Sequence, residues 1–188
     1  LFANMFLEKE PGATIVHDPR VIWNTKDIVA LKGGMAVQSK TGHARIKEIM
    51  RSEKAVYGGE MSAHHYFRDF SYCDSGMIPW LLMAELLSKS DQSLASLIEG
   101  RFAAFPSSGE KNFKVGNPQR ALLRVYEKYK SQVIEVDETD GISFTFDNWR
   151  FNLRKSNTEP LVRLNVETKC SLASLDVKVA EITRALIG

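Results

Sequence analysis

The sequence predicts an α/β chain in two parts: a three-layer domain around a mainly parallel mixed sheet, then a small α+β domain with a four-stranded antiparallel sheet and helices on one face. Three observations lead there. Up to about Phe105, short apolar runs alternate with helix-period segments, the grammar of crossover units. Past Gln132, strand-like runs follow one another at hairpin distance, so they pair antiparallel. Between the two regimes the stretch "AAFPSSGEKNFKVGNP", residues 103–118, collects Pro, Gly and Ser. The expected division is therefore a domain over 1–105, a linker over 106–116 and a second domain over 117–188.

Each element has its own signal. "ATIVHDP" is a short apolar strand stopped by Pro19. "NTKDIVALKGG" is a helix, with Asn24 as expected cap and Gly33 and Gly34 ending it. The strand "MAVQS", the helix "TGHARIKEIMRSE" with Thr41 as expected cap, and the strand "KAVYGG" follow. "SGMIPWLLMAELLSKS" is apolar at helical spacing and reads as core rather than a cofactor box, and "SLASLIEGRF" is a second short helix. In the second part, "PQRALLRVYEKYK" is a helix. "QVIEVDE", "ISFTFD", "WRFNLR" and "EPLVRLNVET" are the four strands, and "SLASLDVKVAEITRALIG" is the closing helix. "VDETDG" looks superficially like an acidic metal loop, but Asp140 and Gly141 suit a tight turn between close strands.

Composition narrows the function classes. The chain has 188 residues, 44% hydrophobic and 26% charged, with a net charge of +2 from interleaved acids and bases. That balance leaves no basic footprint for nucleic acid or a membrane surface, so small molecules or proteins are the expected partners. Cys73 and Cys170 are far apart and form no CxxC pair, which argues against a disulfide framework or a thiolate zinc site and suits a reducing cytoplasm. No apolar run reaches the roughly 18 residues that read as a membrane span. The opening "LFANMFLEKEPG" reads as helix already in progress, without an initiating Met or a signal peptide's basic and apolar regions, as expected of a piece of a longer protein.

In a parallel sheet, ligands collect beyond the carboxyl ends of the strands, where helix amino termini aim unpaired N–H groups into a shared crevice. Three polar clusters fall there: "HDPR", "SKTGH" and "GGEMSAHH". Lys40 stands just before a helix start, which suits an anionic or hydroxyl-rich ligand; an exposed Lys beside a cap is the plainer reading. His43 in the first turn reads as a packing residue, and Arg20 with Asp18 as a surface ion pair or a site residue. Glu60, His64 and His65 suggest metal ligation, but adjacent residues of an extended segment point to opposite faces and no HExxH spacing exists. Ser62 and His64 could form a dyad, yet there is no GxSxG elbow and no evident third member to orient the base. What remains is binding: ionised Glu60 accepts two hydroxyl hydrogen bonds and Ser62 donates or accepts one, a pattern that neighbouring sugar hydroxyls match. A polar turn that satisfies itself stays open.

The second part offers "RKSNTEP", 154–160. The Arg154 guanidinium, the hydroxyls of Ser156 and Thr158, and a turn at Asn157 exposing N–H groups form a phosphate cradle, with a plain hairpin turn as the alternative.

"GGEMSAHHYF" together with "RKSNTEP", in this order and with "SKTGH" upstream, resembles the phosphohexomutase family, its phosphomannomutase branch most. The resemblance covers nearly the whole chain, as the third and fourth of that family's four domains. It implies that Glu60, Ser62 and His64 hold sugar hydroxyls, that Lys40 and His43 line the same cleft, and that Arg154, Ser156, Asn157 and Thr158 grip the substrate phosphate. Ala63 departs from the commoner Gly, which keeps the loop's size but restricts its backbone. Met61 is unlike phosphoglucosamine mutases.

The family's phosphoserine and its Mg2+ loop belong to the first and second domains, so no catalytic residue and no metal ligand is expected in these 188 residues, and the piece alone should not turn over. The implied cofactors are Mg2+, held by another domain, and a hexose 1,6-bisphosphate intermediate. The implied partners are a phosphohexose and the preceding domains of the same chain. The implied activity is phosphomannomutase; a dual phosphoglucomutase/phosphomannomutase and a non-catalytic phosphosugar-binding module are the alternatives.

Overall fold

The computed structural model describes residues 1–156 and 159–188, and these form two compact units, Leu1–Arg101 and Phe102–Gly188. In the first, α1 (Phe2–Lys9), β1 (Thr14–His17), α2 (Trp23–Leu31), β2 (Met35–Gln38), α3 (His43–Ser52) and β3 (Tyr57–Gly59) alternate as the apolar periodicity predicts. Two short strands the sequence did not suggest follow, β4 (His65–Phe67) and β5 (Cys73–Asp74), before α4 (Met77–Ser88) and α5 (Leu94–Ala104). Strand order is β2-β1-β3-β4-β5. The first two pairings are parallel and the last two antiparallel, so the sheet is mixed.

Strand alternation builds the layers, because successive side chains leave the sheet on opposite sides. Ile15 packs with Ala3, Leu7, Ile28 and Val29 from α1 and α2, whereas its neighbour Val16 packs with Ile46 and Met50 from α3. Each such fully buried aliphatic side chain contributes about 1.5–3 kcal/mol relative to exposure. Gly58 lets α3 lie close: a Cβ there would sit 2.6 Å from Met50 Sδ. Neither expected residue takes the N-cap position. The residues preceding α2 and α3 are Ile22 and Gly42, with no side-chain cap bond, and Asn24 Oδ1 instead accepts from Arg101 Nε at 2.7 Å.

The second unit contains β6 (Lys111–Lys114), α6 (Pro118–Tyr129), β7 (Glu135–Asp137), β8 (Ile142–Thr145), β9 (Trp149–Lys155), β10 (Leu161–Thr168) and α7 (Leu172–Ile187). Its antiparallel sheet, ordered β6-β10-β9-β8-β7, has five strands where four were expected. The fifth, β6, comes from the stretch read as linker. Its sequence "KNFK" carries one apolar residue, and only pairing with β10 makes it a strand. Phe151, Leu153, Val162, Leu164 and Val166 face Ala121 and Val125 of α6 and Leu175, Ile182 and Leu186 of α7, so both helices share one core with one face of the sheet. The intervening residues are polar, and Arg150 Nη1 donates to Glu167 Oε1 at 2.8 Å while both are buried. No helix among the described residues is long and apolar enough to cross a membrane.

Candidate functional site

The three polar clusters do meet at the carboxyl ends of β1, β2 and β3, and a buried ion network ties them together. Asp18, just past β1, accepts from Arg20 N at 2.8 Å, from Arg20 Nε at 3.0 Å and from Arg20 Nη2 at 2.6 Å. It also accepts from the backbone N–H of Met61 at 2.7 Å, pinning the loop after β3 to the loop after β1. Arg20 Nη2 reaches on to Ser62 Oγ at 3.2 Å and lies 3.7 Å from Glu60 Oε2. The Asp18–Arg20 pair is thus no surface ion pair. The side chains are only 2% and 6% exposed, because the hairpin following β3 folds over them.

That hairpin links β3 to the unforeseen β4. Gly59 pairs with His65, Glu60 N donates to His64 O at 3.0 Å and Ala63 N donates to Glu60 O at 3.0 Å. The turn needs a left-handed residue, and Ala63 supplies it at φ 63°. Glu60 points inward from the base of the turn: Oε1 accepts from Tyr66 Oη at 2.6 Å and Oε2 accepts from the Gly42 N–H at 3.1 Å. Burial, followed by the hydrogen bond to Glu60, pushes the Tyr66 phenol far up, so this hydroxyl stays protonated and donates. Glu60 therefore joins the loops after β2 and β3, while Ser62 stands exposed at the tip, as do Lys40 and His43 on the neighbouring loop and helix start.

The two adjacent histidines separate as an extended chain requires. His65 Nδ1 lies 2.7 Å from Tyr57 Oη, with Phe2 edge-on to its ring at 5.2 Å. Burial pushes the Tyr57 phenol far up, so the hydroxyl stays protonated beside the His65 ring. Burial also lowers the pKa of His65, against the opposing pull of Asp74. His64 faces elsewhere: its Nδ1 is 2.8 Å from Asp74 Oδ2, and its ring meets that of His43 at 4.5 Å. Asp74 also accepts the His65 N–H at 2.9 Å through Oδ1. Desolvation pushes its carboxyl up, but that N–H and the His64 ring outweigh it and hold the pKa below the usual value.

Asp74 is the residue that sequence reasoning missed, and it is the orienting carboxylate judged absent for His64. It lies on a two-residue strand that only its pairing with Tyr66 defines. The Ser62 hydroxyl, however, is held by Arg20, so Ser62 and His64 do not read as a nucleophile and base. His43, His64 and Asp74 each offer one ligand atom within 4.8 Å of the others, a grouping distinct from Glu60, His64 and His65.

In the second unit, Arg154 lies at the end of β9. Its Nη2 donates to Glu110 Oε2 at 3.2 Å, and Nη1 is 3.8 Å from Asp140 Oδ2. Arg163, its cross-strand partner on β10, also reaches Glu110, at 3.4 Å. Glu110 and Arg163 went unremarked in the sequence, and Asp140 was read only as a turn residue, because all three are brought to Arg154 by pairing, not by spacing. Gly141, at φ 72°, makes the tight turn read from "TDG" and passes so close that a Cβ would sit 2.6 Å from Arg154 Cβ. Ser156 N donates to Leu161 O at 2.9 Å, closing the base of the loop. The expected phosphate residues Asn157 and Thr158 lie outside the described residues.

Comparison with known proteins gives matches along nearly the whole chain. Residues 1–105 fit the model for phosphoglucomutase/phosphomannomutase, alpha/beta/alpha domain III, and residues 110–185 fit that for the C-terminal domain. A phosphomannomutase of Escherichia coli is 60% identical over 186 residues, covering 99% of this chain and 41% of the relative. Proteins described as phosphohexose mutases in Xanthomonas campestris are 59% identical over 188 residues, covering 100% of this chain and 42% of theirs. The chain thus spans well under half the length of these curated relatives. A solved phosphoglucomutase/phosphomannomutase family protein of Burkholderia thailandensis superposes with a TM-score of 0.79 at 30% identity, over 98% of this chain and 39% of that one. Two family models that together account for nearly every residue establish that the chain belongs to the phosphoglucomutase/phosphomannomutase family.

Proposed function

We propose that this chain is the substrate-binding portion of a phosphomannomutase, interconverting mannose 6-phosphate and mannose 1-phosphate. The observation that carries the reading is the hairpin Glu60–His64, clamped at its base by Asp18, Arg20 and Tyr66 while the Ser62 hydroxyl and His64 ring remain accessible at its tip. A fixed hydroxyl and imidazole on a turn braced by the Glu60 carboxylate present an acceptor and donors at set spacing. That is what recognition of neighbouring sugar hydroxyls needs, and rigidity lowers the ordering cost of binding. The Glu60 carboxylate, 4% exposed, spends its hydrogen bonds on Tyr66 and Gly42 and so sets the turn that presents Ser62 and His64. Lys40 and His43 add a cation and an imidazole on the neighbouring loop. In the second unit, Arg154 is the guanidinium for a substrate phosphate, oriented by Glu110 and Asp140, with Ser156 and the residues beyond it completing the loop.

In the proposed reaction a phosphoserine outside this chain gives its phosphoryl group to the free hydroxyl of the hexose phosphate. The bisphosphate turns round, and the other phosphoryl returns to the serine. Positioning and charge stabilisation carry such transfers. Mg2+ takes hard oxygen ligands. The one ligand-like cluster among the described residues, two imidazoles and a carboxylate, does not suit it, and the magnesium loop is assigned to a domain outside this chain. The enzyme is proposed to act in the cytoplasm.

Backbone NMR of the chain titrated with mannose 1-phosphate tests the reading. Shifts should appear at Glu60, Ser62 and His64 and from Arg154 to Thr158; shifts confined elsewhere would refute the assignment. Glucose 1-phosphate binding with equal affinity would favour dual specificity, the reading suggested by the phosphohexose mutase relatives. Mutase turnover by this chain alone, with Mg2+ and a hexose 1,6-bisphosphate added, would overturn the proposed division of labour.

A further inference from the structure

The geometry points to a second binding capacity in the first unit: a divalent transition ion of the Zn2+ class held by His43, His64 and Asp74. This goes beyond the proposed function and does not rest on it. The three side chains come from three elements, the first turn of α3, the hairpin ahead of β4, and β5, and their ligand atoms all lie within 4.8 Å of one another. The set is prearranged. Asp74 is held by the His65 N–H through one oxygen and approaches His64 Nδ1 at 2.8 Å with the other, and the His43 ring stands edge-on to His64 at 4.5 Å.

Two neutral imidazoles and one carboxylate are the donor types that borderline ions prefer, and three protein ligands leave a fourth position open. The 2.8 Å separation of His64 and Asp74 has to widen to about 3.3 Å around a tetrahedral ion with bonds of about 2.0 Å. The exposed His43 can follow by side-chain rotation. The ion takes the place of the proton between His64 Nδ1 and Asp74, and the neutral His64 ring then carries its one proton on Nε2. His65 takes no part, since it faces Tyr57, and Cys73, although next to Asp74 in sequence, is outside the cluster.

Zn2+ titration of the 188-residue chain against a chromogenic chelator at neutral pH tests the site, with Co2+ absorption as a second readout of coordination. One equivalent should bind, excess Mg2+ should not displace it, and His43→Ala and Asp74→Asn should each weaken binding about tenfold or more. Cys73→Ser and Cys170→Ser should leave the affinity unchanged. Because His43 is exposed, its variant should keep the native circular dichroism, so the result does not hinge on Asp74→Asn folding. Absence of saturable binding, unchanged affinity in His43→Ala, or loss of binding in either cysteine variant would overturn the assignment.

Discussion

Arg20→Met removes one guanidinium from the network beneath the hairpin while keeping an unbranched side chain of similar reach. In the native protein that guanidinium makes contacts of 2.6 and 3.0 Å to Asp18, donates to Ser62 at 3.2 Å and stands 3.7 Å from Glu60. Both carboxylates are 4% exposed or less, so they cannot turn to water for compensation. Removing one member of a buried ion pair typically costs about 3–5 kcal/mol, most of it from the charge left behind. Asp18 still keeps the N–H groups of Arg20 and Met61, and Glu60 still keeps Tyr66 and Gly42, which argues for the lower end, about 3 kcal/mol.

For a unit of this size, that loss is a large fraction of a total stability of about 5–15 kcal/mol, and it lowers Tm by roughly 12–24 °C. Urea unfolding followed by circular dichroism measures it directly. Asp18→Asn added to Arg20→Met should recover part of the loss, because the stranded charge is then gone. Arg20→Lys should fall between, since an ammonium cannot make the forked contact. A loss below about 1 kcal/mol for Arg20→Met would place the pair with ordinary surface ion pairs and refute the reasoning.

Three further outcomes follow from the same geometry. His65 has a folded pKa below its unfolded value of about 6.5, so its contribution is fully present above about pH 6.5 and is lost as pH falls toward the folded pKa. Its NMR titration midpoint should lie below 6.5, and a midpoint above that would contradict the burial argument. Ala63→Gly should raise stability by about 0.5 kcal/mol in urea unfolding, the left-handed cost of about 1–2 kcal/mol outweighing the added freedom of the unfolded chain. A destabilised variant would show that the methyl group contributes to the hairpin. Gly141→Ala should cost more than about 1 kcal/mol, since positive φ and the approach to Arg154 both oppose a side chain. Under the proposed function it should also weaken mannose 1-phosphate binding, and an unaffected Tm would show that the turn adjusts freely.

The parts of the fold that could be read along the chain are those whose information is local. The helices and the apolar strands "TIVH", "ISFT", "WRFNLRK" and "LVRLNVET" carry their own periodicity, so each is identifiable without its neighbours. Strands β4, β5 and β6 have two to four residues, and only their pairing partners make them strands. The helix caps were misjudged for a similar reason. Asn24 is an able capping residue, but Arg101 competes for its side chain across 77 positions of sequence.

By itself the sequence determined the alternation of elements, the placement of three polar clusters at strand ends, the polar loop bearing Glu60, Ser62 and His64 after the third strand, and the family motifs, because each depends on residues within about a turn or a loop of one another. Tertiary structure alone decided what the charges are worth. Asp18 and Arg20 look like a surface pair until a hairpin some 40 residues away covers them and adds the Met61 N–H and the Ser62 hydroxyl. Asp74 becomes the partner of His64 only through a two-residue strand pairing. Arg154 meets Glu110 only because a stretch that reads as linker is drawn into the sheet. The physical reason is the same in each case: the strength of a charge and the direction of a hydrogen bond depend on burial and on partners distant in sequence, which no local pattern encodes.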